Sequence, residues 1–123
     1  MQSQIQNDIK TADNIGRQFL QAFFTPNTDI ANFYGNDSIL TFETEVYVGR
    51  DEIIGKLKNL QVNNVPNNYS VQPSNNGILI FCSGNFNLIG ETNQMPFLRC
   101  IFLVQSSGSY YIKNDIYKIT FGL

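Results

Sequence analysis

A chain of 123 residues, 42% of them apolar, is long enough to bury one core and too short for a second domain. Its 8 Lys and Arg are scattered against 10 Asp and Glu, a net charge of -2, so no clustered cation surface exists for a phosphate backbone and direct nucleic-acid binding is not expected. The absence of histidine excludes serine–histidine and cysteine–histidine nucleophile systems and, with only two cysteines, leaves too few ligands to expect a metal or other cofactor.

In chain order, Ile5, Ile9, Ala12, Ile15 or Gly16, Phe19, Leu20 and Phe23 keep a helical period, and polar residues occupy the opposite side. This predicts a long first helix with one face on a sheet. Thr25-Pro26-Asn27 stops it, because proline disfavours helix for the residue before it. A short second helix is expected over 29–34, and Gly35-Asn36-Asp37 turns the chain into extended runs at 38–43 and 46–48. After Gly49, Asp51 reads as the N-cap of a third helix, with Ile53, Ile54, Leu57 and Leu60 on its buried face.

Beyond an Asn-rich connection the period changes. Four runs rich in β-branched and aromatic residues, 69–73, 78–89, 97–105 and 110–120, read as a sequential antiparallel meander. The strands are apolar on both alternating sets. Ile78, Ile80 and Cys82 face one way and Leu79 and Phe81 the other; Ile101 and Leu103 oppose Cys100, Phe102 and Val104. Helices can cover one face only, so the other is expected to meet a second copy in a sheet-on-sheet homodimer. The fold class is α+β. No apolar run is long enough for a membrane helix, and the polar opening MQSQIQNDIK has no leader-peptide core, so a cytosolic or nuclear chain is expected.

The residues that draw functional interest are Phe42 and Glu43, an aromatic beside a carboxylate at a strand end. Cys82 and Cys100 read as small apolar strand residues. Asp115 and Tyr117 share one face of the last strand, which suits either an acid and a phenol in one pocket or an outward pair at a dimer seam. Isomerase chemistry would take Glu43 or Asp115 as base and Tyr47, Tyr69 or Tyr117 as oxyanion donor.

The element order is similar to that of the nuclear transport factor 2 family. Ile15-Gly16-Arg17-Gln18-Phe19-Leu20, Leu40-Thr41-Phe42-Glu43 with Gly49 and Lys56-Leu57, and Lys113-Asn114-Asp115-Ile116-Tyr117-Lys118 resemble that family in the same order, over nearly the whole chain. The resemblance implies one such domain over 1–123, a cone-like fold with a curved antiparallel or mixed sheet around a long N-terminal helix and two shorter ones. It favours the family's carriers over its enzymes. A carrier of this kind is a homodimer that binds the small GTPase Ran in its GDP form and Phe-x-Phe-Gly repeats of nucleoporins, working in cytoplasm and nucleus and concentrated at the nuclear pore.

By resemblance the Ran site is a cavity taking an aromatic side chain from Ran. Glu43 is its rim acid with Phe42 beside it, Glu91 the one loop acid, and Leu60, Val65, Tyr69, Met95, Phe97 and Tyr117 the candidate walls. The family's tryptophan on the first helix, which helps hold the repeats, is Ala12 here, so repeat binding is assigned to the neighbourhood of Ala12. An adaptor of messenger RNA export or a small isomerase or dehydratase shares the architecture and forms the alternative.

Overall fold

The computed structural model describes residues 2–25, 28–61, 66 and 68–121. Helix α1 (Gln2–Phe23) buries Ala12, Phe19, Leu20 and Phe23, as the spacing predicts. The buried face extends over its C-terminal half only. Ile5 and Ile9 keep the period but are 50% and 44% exposed, and residues 3–11 are exposed throughout. Contact with the sheet begins in earnest where Gly16 meets Val71; a Cβ on Gly16 would lie 2.7 Å from a Val71 methyl.

Pro26 and Asn27 lie outside the described residues. The expected second helix is a single 3-10 turn, Ile30–Phe33, capped by Asp29, whose carboxylate accepts from the Ala31 N–H at 3.1 Å. Phe33 sets its ring edge-on against Phe19 and Phe23. The chain then forms the hairpin β1 (Tyr34–Phe42) and β2 (Glu45–Val48), with Phe42 opposite Glu45.

Helix α2 (Arg50–Leu57) starts one residue before the expected Asp51 cap. Gly49 is the cap because its φ of 89° is a conformation that L side chains rarely adopt. Glu52 then reaches back to accept the Val48 N–H at 3.1 Å, tying the first turn of the helix to the end of β2. Ile53 and Leu57 are buried and Ile54 half-buried, but Leu60 is not on this helix. It belongs to β3 (Leu60–Gln61), which pairs with the end of β5.

Strands β4 (Asn68–Ser74), β5 (Gly77–Leu88), β6 (Met95–Ser106) and β7 (Ser109–Ile119) form the predicted antiparallel meander. β1 joins β7 in parallel, so the sheet is mixed, with the order β2-β1-β7-β6-β5-β3 and β4 also on β5. Element order, helices on one face and an open mixed sheet make an α+β cone fold.

The strands divide as read from their alternation. Ile78, Ile80, Cys82, Ile101 and Leu103 are buried under the helices, and Cys100, Phe102 and Val104 lie half-buried on the other face. On β7 the alternation breaks. Asn114 opposes Phe102 and Ile112 opposes Leu103, leaving Lys113 as an extra residue. This bulge reverses the phase, so Ile112 and, three residues later, Asp115 and Tyr117 all face the core. The outward dimer-seam reading of Asp115 and Tyr117 is therefore overturned.

Candidate functional site

Directly opposed residues on neighbouring strands share a face. One such row crosses five strands on the inner side: Phe42, Tyr117, Arg99, Cys82 and Tyr69. Phe42 and Tyr117 pack at 4.8 Å between ring centroids, and Phe97 and Phe86 close on Tyr117 at 5.4 and 5.7 Å. The result is a continuous aromatic wall near one end of the sheet.

In the same row, against Tyr117, lies a charged group that the sequence reading missed. Arg99 is 3% exposed in a strand of apolar neighbours. Its Nε donates to Asp115 Oδ1 at 3.2 Å and its Nη2 to Asp115 Oδ2, while Tyr34 Oη donates to the same Oδ2 at 2.7 Å. The guanidinium carbon sits 4.5 Å from the Tyr117 ring centre and 5.2 Å from that of Phe23. Burial works against the Arg99 charge, but the Asp115 and Tyr34 oxygens together outweigh it and its pKa is raised. Burial, and then the Asp115 charge, push the Tyr34 phenol well above its ordinary value. With both oxygens engaged, Asp115 is a structural counter-ion and not a free base.

Phe42 ends β1 and is buried; Glu43 follows it in the left-handed region at φ 57°, half-buried. The backbone of Glu43 is pinned on both sides. Its N–H donates to the Tyr117 carbonyl at 2.9 Å, and its own carbonyl accepts from Lys118 Nζ at 2.6 Å. Its carboxylate has no hydrogen-bond or ion-pair partner among the described residues. Lys56, also missed, rests its ammonium 4.7 Å over the Phe42 ring and 3.8 Å from Glu45 Oε1.

The other expected residues gather at this end of the sheet, where β1, β5 and β7 finish and β6 begins. Phe97 is buried; Met95, Leu60 and Tyr69 are half-buried and pack on the core. Glu91 is exposed, in the turn from β5 to β6, where its N–H donates to the Leu88 carbonyl at 2.9 Å and its carbonyl accepts from Asn87 Nδ2 at 3.0 Å. Val65 lies outside the described residues. Ala12 is 1% exposed, so it touches no partner itself. Beside it, Ile9, Lys10, Asp13, Asn14, Arg17 and Val71 line an open groove of about 390 Å³.

Residues 11–119 match the nuclear transport factor 2 domain. The chain belongs to the nuclear transport factor 2 domain family. Among relatives, it is 30% identical over 115 residues to nuclear transport factor 2 of Saccharomyces cerevisiae, covering 89% of this chain and 92% of that one. The Candida albicans protein of the same name is 31% identical over 108 residues, with 84% and 87% covered. The structure of nuclear transport factor 2 from Cryptosporidium parvum superposes with a TM-score of 0.68 over 95% of each chain, at 22% identity. That likeness speaks for the fold, whereas the sequence matches carry the family. These relatives are transport factors by name, not enzymes. Among the described residues no group of three or more His, Cys, Asp and Glu is placed to hold a metal.

Proposed function

We propose that this protein is a nuclear transport carrier that binds Ran in its GDP form and returns it to the nucleus. Its partners are Ran-GDP, Phe-x-Phe-Gly nucleoporins and a second copy of itself, and it works in cytoplasm and nucleus, concentrated at the nuclear pore. It is not an enzyme. The observation that carries this reading is Glu43: a carboxylate without a partner among the described residues, on a backbone held from two sides, next to the buried ring of Phe42. An acid on a held backbone, with no partner among the described residues and beside an apolar wall, suits a partner that brings an aromatic group and a cation together. Glu91, exposed at the same end of the sheet, adds a second acid to the rim.

Selectivity for the GDP form follows if only that state presents the aromatic and its flanking cations in one arrangement. For pore repeats, the groove beside Ala12 offers Ile9 and Val71 as apolar floor, with Arg17 tied to Asp13 at 2.9 Å on its rim. The apolar outer face of the sheet supports the homodimer. The deciding experiment is a calorimetric titration with Ran-GDP beside Ran loaded with a non-hydrolysable GTP analogue. Heat with the GDP form alone is expected; no heat with either would transfer the reading to an export adaptor.

A further inference from the structure

Two lysines stand at the Phe42 end of the sheet, and they are held differently. Lys118 donates to the Glu43 carbonyl at 2.6 Å. Lys56, in the last turn of α2, makes no hydrogen bond among the described residues. Its ammonium lies 4.7 Å over the Phe42 ring, 5.9 Å over that of Tyr47 and 3.8 Å from Glu45 Oε1. Glu45 is directly opposite Phe42 in the hairpin, and Tyr47 Oη donates to the same Oε1 at 3.1 Å. One acid and two ring faces of the hairpin thus form a seat for a cation, and a side chain from the helix occupies it. The seat holds its occupant weakly, because Lys56 and Glu45 are 31% and 66% exposed and water screens both the ion pair and the ring contact. Phe42 is itself buried, against Tyr117 on one side and with the half-exposed Lys56 over it. The flexible four-carbon stem can leave without breaking a hydrogen bond of helix or hairpin.

We propose that Lys56 is a latch on the candidate site: it closes over Phe42 and Glu45 in the free chain and swings off when a cation of the partner takes its seat. This rests on the reading of Phe42 and Glu43 as part of the binding surface. The consequence is competition. The partner's cation replaces one that the chain already carries, so a neutral residue at position 56 gives a tighter complex, the reverse of what the loss of an ordinary contact residue gives. The latch is also a filter. A partner that brings only an apolar group displaces Lys56 and leaves Glu45 without its cation, whereas one that brings a lysine or arginine restores that pair. Lys118 cannot act in the same way, because its ammonium is committed to the Glu43 backbone.

Two measurements on the purified protein test it. The first needs no partner: NMR relaxation of ring protons by a neutral nitroxide dissolved in the sample. The Phe42 ring should be shielded in wild type and relax faster in Lys56→Ala, while the buried Tyr117 ring stays shielded in both. Equal relaxation of Phe42 in the two proteins means that Lys56 is not its cover, and overturns the proposal whatever the partner does. The second is calorimetry of wild type and Lys56→Met with Ran-GDP, methionine keeping the bulk of the stem and removing its charge. The variant should bind about three-fold or more tighter, the strength of a weak ion pair and ring contact no longer in competition. Unchanged or weaker binding by Lys56→Met overturns the latch. If Phe42 is uncovered in Lys56→Ala but neither wild type nor Lys56→Met binds Ran-GDP, the cover stands and the carrier reading falls alone.

Discussion

Lys118 donates its ammonium to the backbone carbonyl of Glu43 at 2.6 Å and leaves the Glu43 carboxylate untouched. A lysine this close would ordinarily be expected to neutralise the acid; here it holds the backbone of Glu43, and the carboxylate has no ion-pair partner among the described residues. Glu43→Lys should therefore abolish Ran-GDP binding, a loss of about 2–5 kcal/mol, while folding and dimerisation persist. Binding is read by calorimetry and folding by circular dichroism. Unchanged affinity would remove Glu43 from the site.

The Arg99–Asp115 pair should behave as a buried ion pair whose halves cannot be parted. Asp115→Ala leaves the guanidinium uncompensated beside Tyr34 and Tyr117, and is expected to cost about 3–5 kcal/mol in urea denaturation. Replacing both together, Arg99→Met with Asp115→Leu, should recover most of that loss, because the desolvation of two charges disappears with them. If the double variant is as unstable as Asp115→Ala, the charges are not what the network is made of.

Phe42 and Glu43 were legible in the sequence as an aromatic and an acid at a strand end, and the meander and its two-sided apolar pattern were legible from alternation. Asp115 and Tyr117 were not placed, because alternation counts in twos and the extra residue Lys113 shifts the count by one. Nothing local marks that bulge. Arg99 was missed for a different reason: its partners stand 16 and 65 residues away, and only the fold brings them to it. The signal available was the charge itself, an arginine inside an apolar run, which must find a carboxylate or stay out of the core. Asp51 lost the cap to Gly49 because backbone conformation, not side-chain chemistry, decided that turn.

Gly16 should tolerate no side chain. Alanine would raise helix propensity by at most about 1 kcal/mol, but its Cβ would sit 2.7 and 2.8 Å from the two Val71 methyls, and overpacking typically costs about 1–3 kcal/mol. Valine is stiff at its first torsion and cannot easily step aside. The clash wins, so Gly16→Ala lowers the melting temperature, and Val71→Ala added to it restores part of the loss. A single variant more stable than wild type would place α1 further from β4 than this contact requires.

Stability should decline at alkaline pH for a reason located in the core. Burial raises the Cys82 thiol from 9.0 to about 11, and burial raises the Tyr117 phenol in the same direction. A folded pKa above the unfolded one means that the unfolded chain loses its proton first. The contribution of Cys82 is therefore intact below pH 9 and is lost between about pH 9 and 11, amounting to roughly 2–3 kcal/mol at about 1.4 kcal/mol per unit. Urea midpoints from pH 7 to 11 should show the decline, and Cys82→Ala should make it shallower. An identical slope in the variant would clear Cys82 of any part in it.

The outer face of the sheet remains. Val46, Thr41, Ile116, Cys100 and Phe81 stand in one row across five strands, and Val46, Phe81 and Ile116 are 60%, 49% and 47% exposed. Scattered apolar residues would need no explanation, but a row in register across adjacent strands is a contiguous patch. A second copy of the same face would cover it with matching chemistry and close the assembly at two. The protein should sediment as a dimer at micromolar concentration, and Ile116→Asp, which buries one charge per protomer at that seam, should yield a folded monomer. Wild type sedimenting as a stable monomer would remove the sheet face as the interface, whatever the variant does.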